Sequence, residues 1–483
     1  MSYEKLVKTK IVATLGPASN NKATLKRLID TGVDVFRLNF SHGTHEQKTE
    51  TFKMIREVNE YIGIMCDIQG PKIRVGTIKE PFIMNVNQKI KIYEENIEGN
   101  EEQFSIPYDG FLSDINVGDF IFINDGIIRI EIKSKEKDHI IGQVISGGPI
   151  SSNKGVNIPS GELKQKVPTK KDVEDMKLIA KLDPEFLAIS FVGTAADVLN
   201  VKKLMQNFSN SEIKLISKIE RPIALKNFAQ ILDVSDGIMV ARGDLGVEIS
   251  PDLVPVKQKE IIKQCNILGK PVITATQMLE SMTINPIPTR AEASDVFNAV
   301  FDGTDAVMLS AETAMGKFPI QSVSYMNRIA NTASEIIPAR DPAEFDSEKL
   351  QHTQLLGRGI LDLSHQLVNL NYQGKILVIT RKGFGCRMIS KYRPPLPIYA
   401  ITPFKRTARE LKLLWGVMPI HITDENFFNQ SVEDIISQAV QYAVDHGHFE
   451  LNNHVIILLA SRKYPDFGNL VGFYYVKEII EKK

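Results

Sequence analysis

Eight short runs of β-branched and apolar residues, each followed by a stretch of helical periodicity, constrain this chain more than any other feature. They are KIVATL (10–15), VDVFRLNF (33–40), YIGIMCDI (61–68), FLAISFV (186–192), KLISKIE (214–220), GIMVARGD (237–244), PVITATQ (271–277) and DAVMLSAE (305–312). Runs of this kind alternating with helices predict βα units and parallel strands. Eight such units close a (β/α)₈ TIM barrel. Successive runs lie about 20–35 residues apart, except that more than a hundred residues separate Ile68 from Phe186. That is too many for one helix and its loops. The excess carries short alternating segments and the turn dipeptides Asp125-Gly126 and Gly147-Gly148, which predicts an all-β unit inserted after the third strand. Placed there, it would lie over the mouth of the barrel as a lid.

A helix is expected to restart at residues 169–183, with Thr169 as N-cap and Asp172 three residues on. From about residue 345 the runs KILVIT, PIYAIT, MPIHIT and HVIILLA, separated by helices, predict an open α/β domain. The expected division is residues 1–75 and 166–342 for the barrel, 76–165 for an inserted β-barrel lid, and 343–483 for a C-terminal effector and assembly domain. A length of 483 residues has room for these units. Lys plus Arg and Asp plus Glu both number 58, and this zero balance argues against general affinity for nucleic acid or anionic membrane. The three cysteines, Cys66, Cys265 and Cys386, are widely spaced. They exclude a disulfide framework and a Cys-type zinc site. The first ten residues lack an apolar signal core, and no run reaches the ~18 apolar residues that span a bilayer. These features predict a cytoplasmic protein.

Barrel enzymes carry their working residues at the C-terminal ends of the strands, and here those ends are polar. Period two puts Arg37, Asn39 and Ser41 on one face of the second run. The third ends in Asp67, and the fifth bears Lys218 and Glu220 on one face. The sixth ends Arg242-Gly243-Asp244, the seventh sets Thr274 beside Thr276, and the eighth sets Ser310 beside Glu312. Any one of these reads equally well as a solvated loop start. Six of them aligned toward one mouth would repel or be desolvated without a ligand. Glu220 and Asp244 suit a hard cation of the magnesium kind, the competing reading being an ion pair with Lys218 or Arg242. The turn Gly243-Asp244-Leu245-Gly246 offers backbone amides to an anion. No G-x-x-x-x-G-K-[ST] pattern occurs, and Gly383-Phe384-Gly385 lacks the third glycine of a dinucleotide fingerprint. A phosphate-handling site here must therefore be of another type, beside a metal held by the carboxylates.

Longer stretches carry a family resemblance: IVATLGPAS (11–19), RLNFSHG (37–43), KGVNIP (154–159), SKIE (217–220), IMVARGDLGVEI (238–249), ATQMLESM (275–282), PTRAEASDV (288–296) and DGTDAVMLSAETAMGKFP (302–319). In this order they resemble the pyruvate kinase family along nearly the whole chain. The resemblance implies transfer of the phosphoryl group of phosphoenolpyruvate to ADP, giving pyruvate and ATP in the last step of glycolysis, through a metal-stabilised enolate that is then protonated. It implies Mg²⁺ or Mn²⁺ on Glu220 and Asp244, and Arg37 and Arg74 as phosphate-facing cations. Lys218 resembles the lysine that stabilises the phosphoryl group and the enolate. The amides of Gly243 and Asp244, with Thr276, would hold the substrate carboxylate. Thr276 also lies where the enolate carbon is protonated. A threonine hydroxyl is a poor acid, so the donor stays open, with Ser310 and Glu312 as members of a relay. His42, Arg74 and Lys171 resemble residues near the nucleotide phosphates. Relatives are commonly homotetramers.

The departures are informative. Potassium-requiring members usually carry D-T-K-G-P-E-I-R at the third strand, and here Ile68, Gln69 and Lys72 replace the threonine, lysine and glutamate. This resembles the potassium-independent branch, with the Lys72 ammonium as the substitute for K⁺. Asn39, Ser41 and Asp67 still match the monovalent-ion positions, so a residual site is open. Gly193 stands where an arginine often follows Ser-Phe-Val, and Arg221 where asparagine often follows the glutamate. The loop Thr380-Arg381-Lys382-Gly383-Phe384-Gly385 lacks the hydroxyl run that cradles a bisphosphate in some relatives, which argues against a bisphosphate effector and leaves open a nucleotide or sugar monophosphate, or a plain structural turn. Two other readings stay open. A magnesium-dependent lyase or aldolase making a pyruvate enolate would share Glu220 and Asp244 but need no lid, His42 or paired arginines. A catalytically silent regulatory protein would not need Arg37, Lys218, Glu220, Asp244 and Thr276 together.

Overall fold

A computed structural model describes residues 8–159, 166–337, 342–345, 351–424, 426–460 and 468–481. The expected end of the inserted unit at Gln165 lies outside them. The first strands are β1 (Lys10–Thr14), β2 (Val35–Asn39) and β3 (Gly63–Ile68). The insertion follows with β4 (Phe82–Met84), β5 (Lys89–Tyr93), β6 (Gln103–Ser105), β7 (Phe120–Ile123), β8 (Ile128–Lys135), β9 (His139–Ser146), β10 (Gly148–Ile150) and β11 (Val156–Asn157). The chain then returns through β12 (Phe186–Ile189), β13 (Lys214–Ile219), β14 (Gly237–Ala241), β15 (Val272–Ala275) and β16 (Ala306–Leu309). Strands β1–β3 and β12–β16 close into one parallel barrel in chain order. The helix Lys170–Leu182 begins as expected: Thr169 accepts from the Asp172 amide, and Asp172 returns the bond.

Alternation sorts the barrel residues. Val12, Val35, Met65, Ala188, Ile216, Met239, Ile273 and Met308, one from each strand, pack in the barrel interior. Their neighbours, such as Ile11, Phe36, Leu38, Ile64 and Cys66, pack outward in a second core with the helices.

The inserted unit differs from expectation. It forms a six-stranded sheet, β11-β7-β8-β9-β5-β6, and a two-stranded ribbon, β10-β4, rather than a closed β-barrel. The outer strands β6 and β11 have only three and two residues, too few ladder bonds to join the edges. One apolar core, including Ile92, Phe104, Phe111 and Ile130, fills the unit.

The C-terminal sheet holds β17 (Gly374–Ile379), β18 (Ile398–Thr402), β19 (Val417–His421), β20 (His454–Ala460) and β21 (Gly468–Tyr475). Its order is β19-β18-β17-β20-β21, with β21 antiparallel at one edge. This domain is fastened to the N-terminal end of the barrel. Arg393 donates to Asp305 at 2.9 Å, and Arg406 to Asp183 at 2.7 Å. Leu413, fully buried, joins the barrel's interior core from below. Leu413→Ala removes the atoms that floor the barrel. It is expected to cost about 2–5 kcal/mol, read as a lower urea midpoint of the full-length protein.

Candidate active site

Two residues beyond the apolar layer, the same inward face becomes polar. Val12 leads to Thr14, Val35 to Arg37, Met65 to Asp67, Ala188 to Ser190 and Ile216 to Lys218. These five side chains form one buried network. Arg37 Nε donates to Asp67 Oδ2 at 2.7 Å, and Arg37 Nη1 to Thr14 Oγ1 at 3.0 Å. Lys218 Nζ donates to Ser190 Oγ at 2.6 Å and lies 3.5 Å from Asp67 Oδ1. Ser190 Oγ donates in turn to Asp67 Oδ1 at 3.2 Å.

Glu220 follows β13 and is also buried. Its Oε2 accepts from the Phe191 amide at 2.7 Å. Phe191 holds a left-handed backbone, φ 58°, and this conformation aims its N–H at the carboxylate. Lys218 Nζ is 2.9 Å from Glu220 Oε1, yet that buried oxygen has no hydrogen-bond partner. The contact is a close charge pair.

The network sets its own protonation. Burial alone would raise Asp67, but Lys218 and Arg37 outweigh it and hold the carboxyl below its usual range. Burial would lower Lys218, but Asp67 and Glu220 outweigh it and raise the ammonium. Burial pushes Glu220 up; Lys218 pulls it back, and Asp244 pushes it up again. Two carboxylates close enough for one to raise the other are placed to share a cation.

Asp244 lies on a helix rather than at a strand end. β14 stops at Ala241, and Arg242–Glu248 is helical. Arg242 pairs with Asp295 at 2.7 Å rather than with Glu220 or Asp244, and its Nη2 donates to Thr276 O at 2.8 Å. Asp244 Oδ1 accepts from Lys72 Nζ at 3.1 Å. Lys72 reaches it because Gly70, φ 67°, turns the chain tightly after β3. A Cβ on Gly70 would meet Ser190 O and Phe191 Cδ2 at 2.9 Å each. Lys72, Arg242, Gly243, Asp244 and Gln277 line a cleft of about 460 Å³ that Asp125 of the inserted unit also reaches.

Thr274 and Thr276 do not sit together at the mouth. Thr274, facing the helices, bonds Thr304 at 3.0 Å. Thr276 and Gln277 are left-handed, φ 66° and 53°, which breaks the alternation and swings Thr276 toward Gly243. Its Oγ1 accepts from the Gly243 amide at 2.7 Å and donates to Ala275 O at 2.6 Å. The expected relay is not hydrogen-bonded to it. Glu312 accepts from the amides of Leu279 and Ser310 at 3.0 and 2.7 Å, so it braces two loops. Ser310 Oγ is buried without a partner.

The side chains matched to the monovalent-ion positions make contacts of their own. Both Asp67 oxygens are engaged by Arg37, Ser190 and Lys218, and Asn39 Oδ1 accepts from the Ser41 amide at 3.0 Å.

Among the expected nucleotide residues, His42 is exposed beside a cationic group. Partial burial and the charges of Arg74, Lys48, Arg37 and Lys72 hold its imidazole below the ordinary value. Arg74 donates to Asn153 O at 2.9 Å. Lys171 is more than a solvated helix residue. It donates to Phe40 O at 2.9 Å and to Asp175 at 2.6 Å, and Asp175 also bonds His45 at 2.7 Å.

Three participants escaped the sequence reading: Thr14, Ser190 and Glu248. The first two carry a signal, since each stands two residues beyond an inward apolar residue. Glu248 carries none. It accepts from Asn157 of β11 at 2.7 Å, latching the inserted unit to the barrel, and burial raises its carboxyl.

Two family models cover the chain: the pyruvate kinase barrel domain matches residues 6–323 and the pyruvate kinase alpha/beta domain residues 364–469. A pyruvate kinase of Sporosarcina psychrophila is 40% identical over 487 residues, spanning 98% of this chain and 81% of that protein. A pyruvate kinase of Staphylococcus aureus strain USA300 is 40% identical over 484 residues with the same coverage. The crystal structure of a pyruvate kinase from Cryptosporidium parvum matches with a TM-score of 0.89 at 35% identity, over 97% of this chain and 96% of that one.

Proposed function

The chain belongs to the pyruvate kinase family, and on that premise we propose how its own residues carry the family's reaction. It is a phosphotransferase that moves the phosphoryl group of phosphoenolpyruvate to ADP, giving pyruvate and ATP. The lyase or aldolase and the silent regulatory protein are not supported by any of these relatives.

The residues fit a divalent ion. Glu220 Oε1 is a buried oxygen without a hydrogen-bond partner, and Asp244 faces the cleft. Two carboxylate oxygens with room for water and substrate oxygens suit Mg²⁺ or Mn²⁺. Held there, the ion supplies positive charge beside the phosphoryl and enolate oxygens. Arg37, fixed by Asp67 and Thr14, presents Nη2 to the phosphoryl group. Lys218 balances charge on that group and on the enolate oxygen left behind. The amides of Gly243 and Asp244 take the substrate carboxylate, for which Thr276 must release the Gly243 amide. A proton reaches the enolate carbon through water on the Thr276 side. Ser310, with its hydroxyl uncommitted, suits that relay better than Glu312. Arg74, His42 and Lys171 face the nucleotide phosphates. The observation that carries this reading is Lys218 lying between Asp67 and Glu220 at the barrel mouth.

Activity does not require potassium, because Lys72 supplies a cation within 3.1 Å of Asp244. Homotetramer formation is supported by the edge strand β21, which exposes Leu470, Val471, Phe473 and Tyr474. A cytoplasmic location is supported by three buried free thiols. No helix among the described residues is long and apolar enough to cross a membrane.

The test is pyruvate formation from phosphoenolpyruvate and ADP in a coupled assay, together with Mn²⁺ binding by Glu220→Gln and Asp244→Asn. Each variant is expected to lose at least the ~10–100-fold in metal affinity that an outer-shell change costs. Unchanged Mn²⁺ affinity in both would overturn the assignment of the ligands.

A further inference from the structure

Two helices begin beside the loop that follows β2. One is His45–Val58, and the other is Lys170–Leu182, which starts where the chain returns from the inserted unit. Between them lies Asp175, whose side chain is only 3% exposed. Its Oδ2 accepts from Lys171 Nζ at 2.6 Å, and its Oδ1 bonds His45 Nε2 at 2.7 Å. Lys171 Nζ also donates to Phe40 O at 2.9 Å. One carboxylate thus ties the second helix to the first and, through Lys171, to the end of the strand that carries Arg37.

A lysine and an acid four residues apart on a helix surface contribute little, because water competes and two long side chains must be held still. Asp175 is not such a partner. It is closed off from solvent and shared by two helices whose bonded residues are 130 positions apart, while Lys171 stays half exposed, at 51%. Burying a carboxylate is costly unless donors surround it, and here the donors come from a half-exposed lysine and another helix. An ammonium has three donors. Asp175 and Phe40 take two from Lys171, which fixes the direction of the third.

The backbone of this turn does not need Asp175. Asp172 accepts from the Thr169 amide and hydroxyl at 2.8 and 2.7 Å, and from the Gly70 amide at 3.1 Å. It caps the helix and joins the segments that enter and leave the inserted unit. Asp175 therefore governs a side chain rather than the helix.

The charge balance points the same way. Lys48, one turn along from His45, has its ammonium 5.9 Å from the Phe40 ring centre, and the charges of Arg37, Asp175 and Lys171 act on it. Two lysines to one carboxylate leave this corner positive. Lys48 acts in turn on His42, together with Arg74, Arg37 and Lys72. A polyphosphate suits that surplus.

We propose that Asp175 is a positioning residue for the nucleoside diphosphate: it holds Lys171 so that the free donor of the ammonium meets the nucleotide phosphates. This rests on the reading of Lys171 as a nucleotide residue and adds the group that aims it.

The experiment compares the full-length protein with Asp175→Asn, Asp175→Glu, Lys171→Met and the double variant Asp175→Asn/Lys171→Met. The readouts are KM for ADP, KM for phosphoenolpyruvate, and calorimetric titration with ADP and Mg²⁺. Asparagine keeps the shape and an acceptor but removes the charge. Asp175→Asn is expected to raise KM and Kd for ADP ~10-fold, with KM for phosphoenolpyruvate within about twofold. The double variant should bind ADP no worse than Lys171→Met alone, as for two residues acting through one contact. Asp175→Glu keeps the charge but displaces the carboxylate, so it should fall between, and it decides the same comparison if Asp175→Asn does not fold. Weaker ADP binding in Lys171→Met but not in Asp175→Asn overturns the proposal and leaves the nucleotide reading standing. Unchanged ADP binding in Lys171→Met sinks both. A loss that adds in the double variant, or falls equally on both substrates, makes Asp175 a structural ion pair and overturns the proposal.

Discussion

Lys218→Met is expected to lower kcat by about a thousandfold, the scale of losing one preorganised charge donor from a transition state, with a much smaller change in KM for phosphoenolpyruvate. Arg37 and the Gly243 and Asp244 amides still hold the substrate, so ground-state binding survives while transition-state stabilisation is lost. The variant has a second signature. Lys218 lies between two buried carboxylates, 3.5 Å from Asp67 and 2.9 Å from Glu220. Removing the ammonium leaves those charges uncompensated, at a cost of about 3–5 kcal/mol. Glu220 is already held above its ordinary value by burial, and without Lys218 it rises further. A carboxyl raised in the folded state stabilises fully below its unfolded pKa and loses that contribution as pH climbs through the folded one. The destabilisation should therefore grow from acid toward neutral pH in urea melts without metal. Near-wild-type kcat would remove Lys218 from the mechanism, whatever the stability result.

Replacing all potassium by tetramethylammonium is expected to leave wild-type kcat within about twofold, whereas Lys72→Glu in the same medium loses on the order of a hundredfold. Adding K⁺ should restore much of the variant's activity and do little for the wild type. The ammonium of Lys72 sits 3.1 Å from Asp244, and the substitution puts a third carboxylate near Asp244 and Glu220. Two negative reactants then enter a mouth more negative by two charges, one of which a monovalent cation restores. Ile68→Thr and Gln69→Lys on top of Lys72→Glu should tighten the response to K⁺. A wild type that loses nearly all turnover without K⁺ would refute the role given to Lys72.

Much of this architecture was legible because parallel barrel strands write themselves as buried apolar runs, and inward alternation then marks Arg37, Asp67 and Lys218 as one layer. The same rule points to Thr14 and Ser190, whose hydroxyls hold the charged groups in place. What the pattern could not supply are features made by backbone turns and by contacts between distant segments. Thr276 enters the site against its alternation because φ 66° rotates it inward. Arg242 begins a helix, which sends its guanidinium to Asp295 rather than to Glu220 or Asp244. Glu312 looks like a proton-relay acid in sequence, but it is committed to two loop amides. Gly193 and Arg221, unrelated departures on paper, are neighbours in space. A Cβ on Gly193 would stand 4.0 Å from Arg221 Nη1, so the guanidinium missing at the first position is present beside it from the second.

The seating of Leu413 inside the barrel core means that the catalytic half of this protein is not a self-sufficient module. Eight strands rise from a floor that belongs to another domain, and that floor is polar-clamped by Arg393 and Arg406 around its edge. Severing the chain between the two would open an oily well at the end opposite the chemistry. Any exchange of C-terminal domains between relatives must therefore preserve this stopper before it can transplant a new response.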